Sequence, residues 1–182
     1  WARSLAQLRE GKLDMMVNLS ITPERKEYLW FIGPQRDETI VLVVNNDFDF
    51  KIDSLEDFKA FNNKVGIENG AFYGNVFDKK YKSDPVFSNL FVQAVNTDML
   101  IKMLKLKRII GFFEDRYSIV YKMKTQKQYQ GIKTHSYLVN QDVVYFGFSK
   151  VSVSKKLLAR LQKAFDSANS VGKFEAVIKR YR

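Results

Sequence analysis

Residues 18–25, NLSITPER, carry the strongest local signal in the chain. The apolar segment before them, 13–17, is predicted to form a buried strand. Pro23 fixes its own φ and disfavours helical geometry at Thr22, so the strand has to end in a shaped turn. Thr22 is therefore predicted to cap a short helix that begins at Pro23, with Glu24 near the positive end of the helix dipole.

This strand end is a candidate site for a small anion, and a carboxylate would suit it best. Free backbone N–H groups at the helix start, the hydroxyl of Ser20 and the guanidinium of Arg25 would converge there. The alternative is an ordinary capped helix start with Arg25 on the surface. Taken alone the stretch favours that alternative, and the rest of the chain shifts the balance towards a site.

The composition bounds the class of protein. The chain has 182 residues, of which 46% are hydrophobic, enough for a core and for one or two compact units. No apolar run approaches the length needed to cross a bilayer. Leu5 and Leu8 are spaced like one face of a helix directly after Trp1, so we expect the chain to start inside a fold and any export signal to lie upstream.

Charge and cysteine content narrow the functions. The chain has no cysteine, which rules out disulfides and thiolate metal sites, and its histidine and acidic residues do not favour a metal ion. The net charge of +10 is compatible with an acidic partner such as nucleic acid or an anionic ligand. Because the lysines are spread along the chain, we prefer a solvated basic surface.

Helical and strand patterns alternate between Ser54, a predicted helix cap with Asp57 as its capping-box partner, and Met123. The strands are predicted at 64–67, 91–95 and 109–113, and the helices at 74–81, from the cap Thr97 onward and at 118–123. This alternation predicts a parallel sheet, in which ligands bind beyond the carboxyl ends of the strands. Gly70 and Asp115 lie at such ends.

The other segments give simpler predictions. Residues 40–44 are wholly apolar, as in a strand whose two faces are both covered, whereas 31–34 is predicted to be a loop. Residues 125–133 are weakly patterned and precede a predicted strand at 143–148. Two amphipathic helices are predicted at the end of the chain, the second over Phe174, Val177, Ile178 and Tyr181.

Several short motifs occur in one order along nearly the whole chain. They are LREGKLD at 8–14, SITPER at 20–25, FIGP at 31–34, SLEDF at 54–58, KVGIENG at 64–70, YFGFS at 145–149 and GKF at 172–174. This ordered set resembles the bacterial extracellular solute-binding proteins of family 3, the periplasmic receptors for polar amino acids and similar solutes. The set is fairly specific, although "TPER" alone is weak.

The resemblance implies an α/β, two-lobe fold of the type II periplasmic-binding-protein class, which closes on its ligand like a hinged clamp. Lobe one would hold residues 1–45 and 146–182, and lobe two residues 46–145, with hinge crossings near 44–48 and 141–145. Lobe one would be incomplete, because its first strand, first helix and second strand should precede the chain.

The resemblance also implies ligand contacts. Arg25 matches the arginine that pairs with the ligand α-carboxylate, and Ser20 matches a residue that supplies hydroxyl and backbone N–H groups to it. Asn18 falls on another contact position. Asp115 matches the acid that binds the α-amino group, and Trp1 falls near an aromatic residue that stacks on the ligand.

Each of these residues also has a structural explanation. Asp115 could be the N-cap of the next helix, Trp1 a core residue, and Asn18 a partner for backbone groups. The family usually has small hydroxyl residues after Gly70, whereas this chain has Ala71, Phe72 and Tyr73, which makes its pocket more aromatic. We include Gly70 and Phe72 among the expected ligand contacts.

Another departure lies before the strand at Ile109. The glycine that is common there in the family is replaced around Lys107, and the acid often found two residues after Arg108 is Ile110. The chain is therefore a divergent member of the pattern that it resembles.

The leading hypothesis is a binding module without chemistry or cofactor. It would be a periplasmic protein that captures an amino acid or similar carboxylate for an ABC-type permease, acts as a monomer and does not bind nucleic acid. Two alternatives stay open, a ligand-sensing domain of a membrane receptor or larger enzyme and, more distantly, a basic nucleic-acid-binding module.

No enzymatic activity is expected. His135, the single histidine, has no partners for a catalytic triad. Glu114 and Asp115 are adjacent on a predicted strand, so their side chains would point to opposite faces and could not form a paired-carboxylate site.

Overall fold

A computed structural model describes residues 1–181, which form two compact units. The central unit comprises Trp1 and Thr39–Gln141, and the terminal unit comprises Ala2–Glu38 and the chain from Asp142 onward. The lobe limits expected from the sequence, at 45/46 and 145/146, stay a prediction. Arg182, the last residue of the expected lobe one, lies outside the described residues.

The part of the chain that the structure describes contains six strands. They are β1 (Met15–Leu19), β2 (Leu29–Asn45), β3 (Lys64–Glu68), β4 (Phe91–Ala94), β5 (Ile109–Asp115) and β6 (Ile132–Ser149). The long strands β2 and β6 each contribute residues to both units.

Eight α-helices accompany the strands within the described part of the chain. They are α1 (Ala2–Arg9), α2 (Pro23–Tyr28), α3 (Asn75–Ser83), α4 (Pro85–Ser88), α5 (Thr97–Lys105), α6 (Arg116–Thr125), α7 (Lys155–Ser170) and α8 (Lys173–Ile178). Short 3-10 helices occupy Leu55–Ala60, Lys127–Tyr129 and Lys179–Tyr181. None of the described helices is long and apolar enough to span a membrane.

The sheet of the central unit is mainly parallel. Strand β3 pairs in parallel with both β4 and β5, with Val65 opposite Phe91 and Gly66 opposite Phe112. Strand β2 pairs with β5 in antiparallel fashion, with Leu42 opposite Phe113. The helix–strand alternation between Ser54 and Met123 thus correctly predicted an α/β unit with parallel strands.

The central sheet is buried on both faces. Every residue from Ile40 to Val44 is at most 4% exposed, which confirms that both faces of this strand are covered. Successive residues point to opposite faces. One face, which carries Ile40 and Leu42, packs against the 3-10 helix Leu55–Ala60 and against α3. Its core includes Phe58, Tyr73, Phe77, Phe87, Phe91 and Phe113. The other face, which carries Val41 and Val43, packs against α5. Its core includes Leu100, Ile101, Leu104, Phe112 and Tyr129.

The terminal unit is built on the antiparallel pair of β1 and β6. Met15 lies opposite Phe148 and Leu19 opposite Tyr145, and the register is irregular between Met16 and Leu19. The core of this unit contains Ile32, Phe148, Val153 and Phe165, with Trp30, Phe146, Leu158, Leu161 and Phe174 packed against it.

Two local predictions were wrong, and a third segment proved longer than predicted. Residues 31–34 lie inside β2 rather than in a loop, whereas the strand predicted at 143–148 is confirmed but already begins at Ile132. Gly33 and Pro34 are typical of a loop, and residues 132–142 lack a regular alternation of apolar and polar side chains, so neither segment was recognised as a strand. The cap of α5 is Asn96, whose Oδ1 accepts from the Met99 N–H at 2.9 Å, and Thr97 is the first helical residue.

The turn that closes the C-terminal end of α5 contains a residue with an unusual backbone conformation. Lys107 has a φ of +54°, in the left-handed region that favours glycine. Its N–H donates to the Leu104 carbonyl at 3.0 Å, and the Arg108 N–H donates to the Met103 carbonyl at 2.9 Å. These bonds close the helix end in the manner of a Schellman motif, which usually carries glycine at this position.

We expect Lys107→Gly to raise the free energy of unfolding by roughly 0.5–1 kcal/mol, because it removes a Cβ from a left-handed residue. Urea denaturation monitored by circular dichroism measures the change. Lys107→Ala is the matched control, since it removes the same charge but keeps the Cβ and should give no gain. Equal stabilisation by the two variants would contradict the backbone explanation and indicate an effect of charge.

Candidate functional site

The turn after β1 has the predicted local structure. Thr22 is extended, with φ −125° and ψ 157°, and its Oγ1 accepts from the Arg25 N–H at 3.2 Å. Pro23 is the first residue of α2 and Glu24 lies in its first turn. The cap and the proline were therefore correctly predicted from the sequence, and together they fix where the side chain of Arg25 begins.

Arg25 is a buried residue, only 6% exposed. Its Nη1 donates to the carbonyl of Ser20 at 3.0 Å, so the guanidinium folds back onto the end of β1. The alternative of a surface arginine is wrong. Burying a guanidinium is costly in free energy unless it is hydrogen-bonded or paired. The buried position of Arg25 therefore depends on the polar groups around it.

Ser20 lies directly against this guanidinium and is 4% exposed. Its carbonyl accepts from Arg25, while its hydroxyl makes no hydrogen bond to any other residue in the described part of the chain. The end of β1 therefore combines a buried cation with a hydroxyl that can still donate to a bound group.

Asn18 has a left-handed backbone, with a φ of +58°, at the register irregularity of β1. Its N–H donates to Gln35 Oε1 at 3.1 Å, and its Oδ1 accepts from Arg36 Nε at 3.2 Å. Two side chains from the beginning of β2 thus hold Asn18. Sequence reasoning missed both of them, because they follow the segment that was predicted to be a loop.

Arg36 is itself firmly held. Its Nη1 donates to the Asp37 carbonyl at 2.8 Å, and its Nη2 lies 3.9 Å from Glu38 Oε1. The side chains of Arg36 and Glu38 are 8% and 9% exposed. The terminal unit therefore contains a second buried guanidinium, which is bonded to a predicted contact residue.

The central unit brings other predicted residues to the carboxyl ends of β3 and β5. Since Gly66 lies opposite Phe112 in parallel strands, Glu68 and Glu114 follow at equivalent positions two residues later. Gly70 turns the chain after β3 with a φ of +80°, and Phe72, which follows it, is half-buried.

Tyr73 and Asp115 both have structural roles beside this edge. The Tyr73 hydroxyl accepts from the Glu68 N–H at 2.7 Å, and its ring belongs to the core. Asp115 caps α6, because its Oδ2 accepts from the Ser118 N–H at 3.0 Å. The N-cap alternative is thus correct. An ionised carboxylate has about four lone-pair sites, so capping remains compatible with a ligand contact.

Trp1 lies in the central unit by its contacts, next to the same strand end. Its main-chain nitrogen is 3.6 Å from Glu68 Oε1, and its side chain is 29% exposed. The alternative of a plain core residue therefore does not hold, and part of the indole is open to solvent.

Two glutamates at this edge were not predicted as site residues. Glu114 Oε2 accepts from Thr97 Oγ1 at 2.5 Å and lies 3.7 Å from Lys122 Nζ. Burial raises the pKa of the Glu114 carboxyl above its usual value, although Lys122 and the Thr97 hydrogen bond oppose this shift. Burial, and then the charge of Glu114, also raise the pKa of Glu68. Only the strand register would have indicated that the two are neighbours.

The two sets of residues differ in electrostatic character. The terminal unit presents a buried arginine and hydrogen-bond donors, which suit an anionic group such as a carboxylate. The central unit presents Glu68, Glu114 and Asp115, which suit a positively charged group. Among the described residues there is no cluster of three histidine, aspartate or glutamate side chains that could hold a metal ion.

Comparison with known proteins identifies a family. The family model for bacterial extracellular solute-binding proteins, family 3, matches residues 1–182. No curated protein is significantly similar to the chain in sequence.

Solved structures share the fold at low identity. A mutant of ArgBP from T. maritima is 20% identical, with a TM-score of 0.76, and the match covers 98% of this chain and 72% of that one. A histidine kinase sensor domain with similarity to periplasmic binding proteins is 14% identical, with a TM-score of 0.80 and coverages of 100% and 75%. The AvGluR1 ligand binding domain in complex with glutamate is 17% identical, with a TM-score of 0.78 and coverages of 99% and 72%. These matches show the type II periplasmic-binding-protein fold.

Glu114 should make stability depend on pH. A carboxyl whose folded pKa is raised stabilises the folded state only while it is protonated, so its contribution is present at low pH and is lost as the pH rises through the folded pKa. Glu114→Gln keeps an acceptor for Thr97 and cannot ionise. The free energy of unfolding of this variant, relative to the wild type, should therefore increase as the pH rises from about 4 to 8. Urea denaturation across this range measures it.

Glu56→Gln is the control of opposite sign. Hydrogen bonds from Lys59 and Lys80 lower the pKa of the exposed Glu56 carboxyl, so its contribution is present above its unfolded pKa and is lost as the pH falls. The relative stability of Glu56→Gln should decrease as the pH rises. A pH-independent difference for Glu114→Gln would show that the carboxyl is not perturbed by burial.

Proposed function

The chain belongs to the bacterial extracellular solute-binding proteins, family 3, and we propose that it captures a small polar solute, an amino acid or a similar carboxylate. Arg25, Ser20 and Asn18 of the terminal unit hold the solute carboxylate. Asp115 of the central unit holds the α-amino group.

The observation that carries the proposal is the buried guanidinium of Arg25. It lies at a strand end, bonded to the Ser20 carbonyl, beside a hydroxyl without a partner in the described chain. A buried guanidinium next to a residue that carries a hydroxyl offers the charge and the hydrogen-bond donors that a carboxylate requires.

The acidic edge of the central unit supports the second half of the proposal. Asp115 stands at the carboxyl end of β5, where ligands bind in open α/β sheets. Gly70 and Phe72 follow the neighbouring strand, and Trp1 offers a partly exposed indole for stacking on a planar or cationic group. In this assignment Glu68 and Glu114 add negative potential without being assigned a contact.

The family and fold are those of binding proteins rather than enzymes. We place the protein in the periplasm and propose an ABC-type permease as the membrane partner that receives the solute. A ligand-sensing domain is the second candidate, because a histidine kinase sensor domain and a receptor ligand binding domain share the fold at TM-scores of 0.80 and 0.78. Both candidates require the same binding step.

A thermal-shift screen of the protein against amino acids and small carboxylates tests this step. A bound solute at a hundred times its dissociation constant should add about 2.7 kcal/mol of stability. In Arg25→Lys the shift should be largely lost, because lysine keeps the charge but cannot form the bidentate pair. A folded protein without a shift for any compound would contradict the assignment.

Arg9→Lys is the matched control for this screen. Arg9 lies close to α2 and pairs at 2.7 Å with Glu24, but it is 57% exposed and outside the proposed site. The same substitution there should leave the solute-induced shift unchanged. Equal losses in the two variants would indicate a general effect of replacing arginine and would remove the support for Arg25.

Asp115→Asn separates the amino contact from helix capping. Asparagine is as good a cap as aspartate, so the fold should persist while the negative charge is lost. We expect binding of α-amino acids to weaken about tenfold to a hundredfold, the effect of a charge-assisted hydrogen bond. Carboxylates without an amino group should bind as before. Isothermal titration calorimetry measures both.

The matched control is Asp84→Asn. Asp84 caps α4 in the same way, accepting from the Phe87 N–H at 3.0 Å. It should change no affinity. If Asp115→Asn bound α-amino acids as tightly as the wild type, Asp115 would be a helix cap and nothing more.

A further inference from the structure

We infer that Arg36, which no motif indicated, is a positioning residue that fixes the side-chain amide of Asn18 as a hydrogen-bond donor for the solute carboxylate. The inference rests on the proposed function and deepens it. Arg36 acts through Asn18 and is not assigned a contact with the solute.

The backbone of Asn18 is held in an unfavourable region. A φ of +58° is unfavourable for most L-residues, and asparagine is one of the few residues that tolerate it. Residues kept in such conformations cluster at functional sites. Here the conformation is maintained from β2, because Gln35 Oε1 accepts the Asn18 N–H at 3.1 Å.

The guanidinium of Arg36 decides which way the Asn18 amide faces. Arg36 Nε lies 3.2 Å from Asn18 Oδ1, and a guanidinium has donors only. If the amide were flipped, its NH₂ group would face the N–H of Arg36, donor against donor. Oδ1 therefore has to face Arg36, and Nδ2 has to point away from it.

Arg36 can enforce this orientation because it cannot move freely. Its Nη1 is bonded to the Asp37 carbonyl at 2.8 Å, and its side chain is 8% exposed. A planar guanidinium bonded on two sides presents Nε in one fixed direction. The orientation of the Asn18 amide is thus set by the fold before any solute arrives.

The remaining group of Asn18 is its NH₂. Nδ2 makes no hydrogen bond to any residue in the described part of the chain. Asn18 precedes Ser20 by two residues, and the Ser20 hydroxyl is likewise without a partner there. The Asn18 NH₂ group and the Ser20 hydroxyl can therefore both donate to a bound group, and the positive charge of Arg25 favours a carboxylate there.

Asn18→Asp tests the inference, because it keeps the shape and the oxygen that Arg36 binds but replaces the NH₂ donor by a carboxylate oxygen. The probes are the twenty standard L-amino acids and succinate, each titrated by calorimetry into the protein. We expect every probe that the wild type binds to be weakened at least tenfold. The thermal midpoint without a probe should not fall, because the hydrogen bond with Arg36 becomes an ion pair.

A purely structural role for Asn18 predicts no change in affinity. The aspartate would then strengthen the bond to Arg36 and leave the affinity unchanged, and that result would overturn the inference. Asn89→Asp is the control, since Asn89 is exposed and lies outside the proposed site, so the same change of charge there should not alter binding.

Arg36 is tested separately with Arg36→Met and Arg36→Lys. Methionine removes the donor to Oδ1 and should weaken the probes several-fold, while lysine, which can still donate, should restore part of the affinity. Wild-type affinity in Arg36→Met would overturn the role of Arg36. A folded wild type that binds none of the probes would instead overturn the proposed function itself, and the inference with it.

Discussion

The buried guanidinium of Arg25 is the constraint on which the terminal unit depends. A cation that is 6% exposed has lost most of its hydration, and its bond of 3.0 Å to the Ser20 carbonyl is one of the interactions that compensate for this loss. The chain has to end β1, turn and start α2 within a few residues to make this bond. Thr22 and Pro23 supply that turn, so a local capping pattern and a buried charge specify each other.

Two non-glycine residues with positive φ show how similar backbones arise from different causes. Lys107 ends a helix, and its conformation is explained by the bonds that close the helix C-terminus. Asn18 lies in a strand, where no helix end requires a left-handed residue, and two side chains from β2 hold it. The first conformation satisfies backbone carbonyls, whereas the second orients a side-chain amide. Only the second points to a role in recognition.

The parts of this structure that could be predicted are those set by neighbours in sequence. The cap at Thr22, the capping box of Ser54 and Asp57 and the parallel strands of the central unit follow from short spacings and periodicity. Arg36 and Glu68 could not be found in this way, because they gain their meaning from residues brought near by strand pairing. Arg36 meets Asn18 across 18 positions, inside a segment whose glycine and proline indicated a loop. The contacts proposed for Arg25, Ser20 and Asp115 came from motif order, and they stay predictions.

The net charge of +10 describes the surface and not the candidate site. Within the central unit the strand ends carry Glu68, Glu114 and Asp115, and burial raises the pKa of the first two carboxyls, so ionisation there is resisted. A cationic group that bound near them would relieve this and favour the charged forms. In the terminal unit the buried guanidinium of Arg25 favours an anion, whereas the charge of Arg36 is offset by its ion pair with Glu38. The two units thus favour groups of opposite charge, whereas a nucleic acid is uniformly negative.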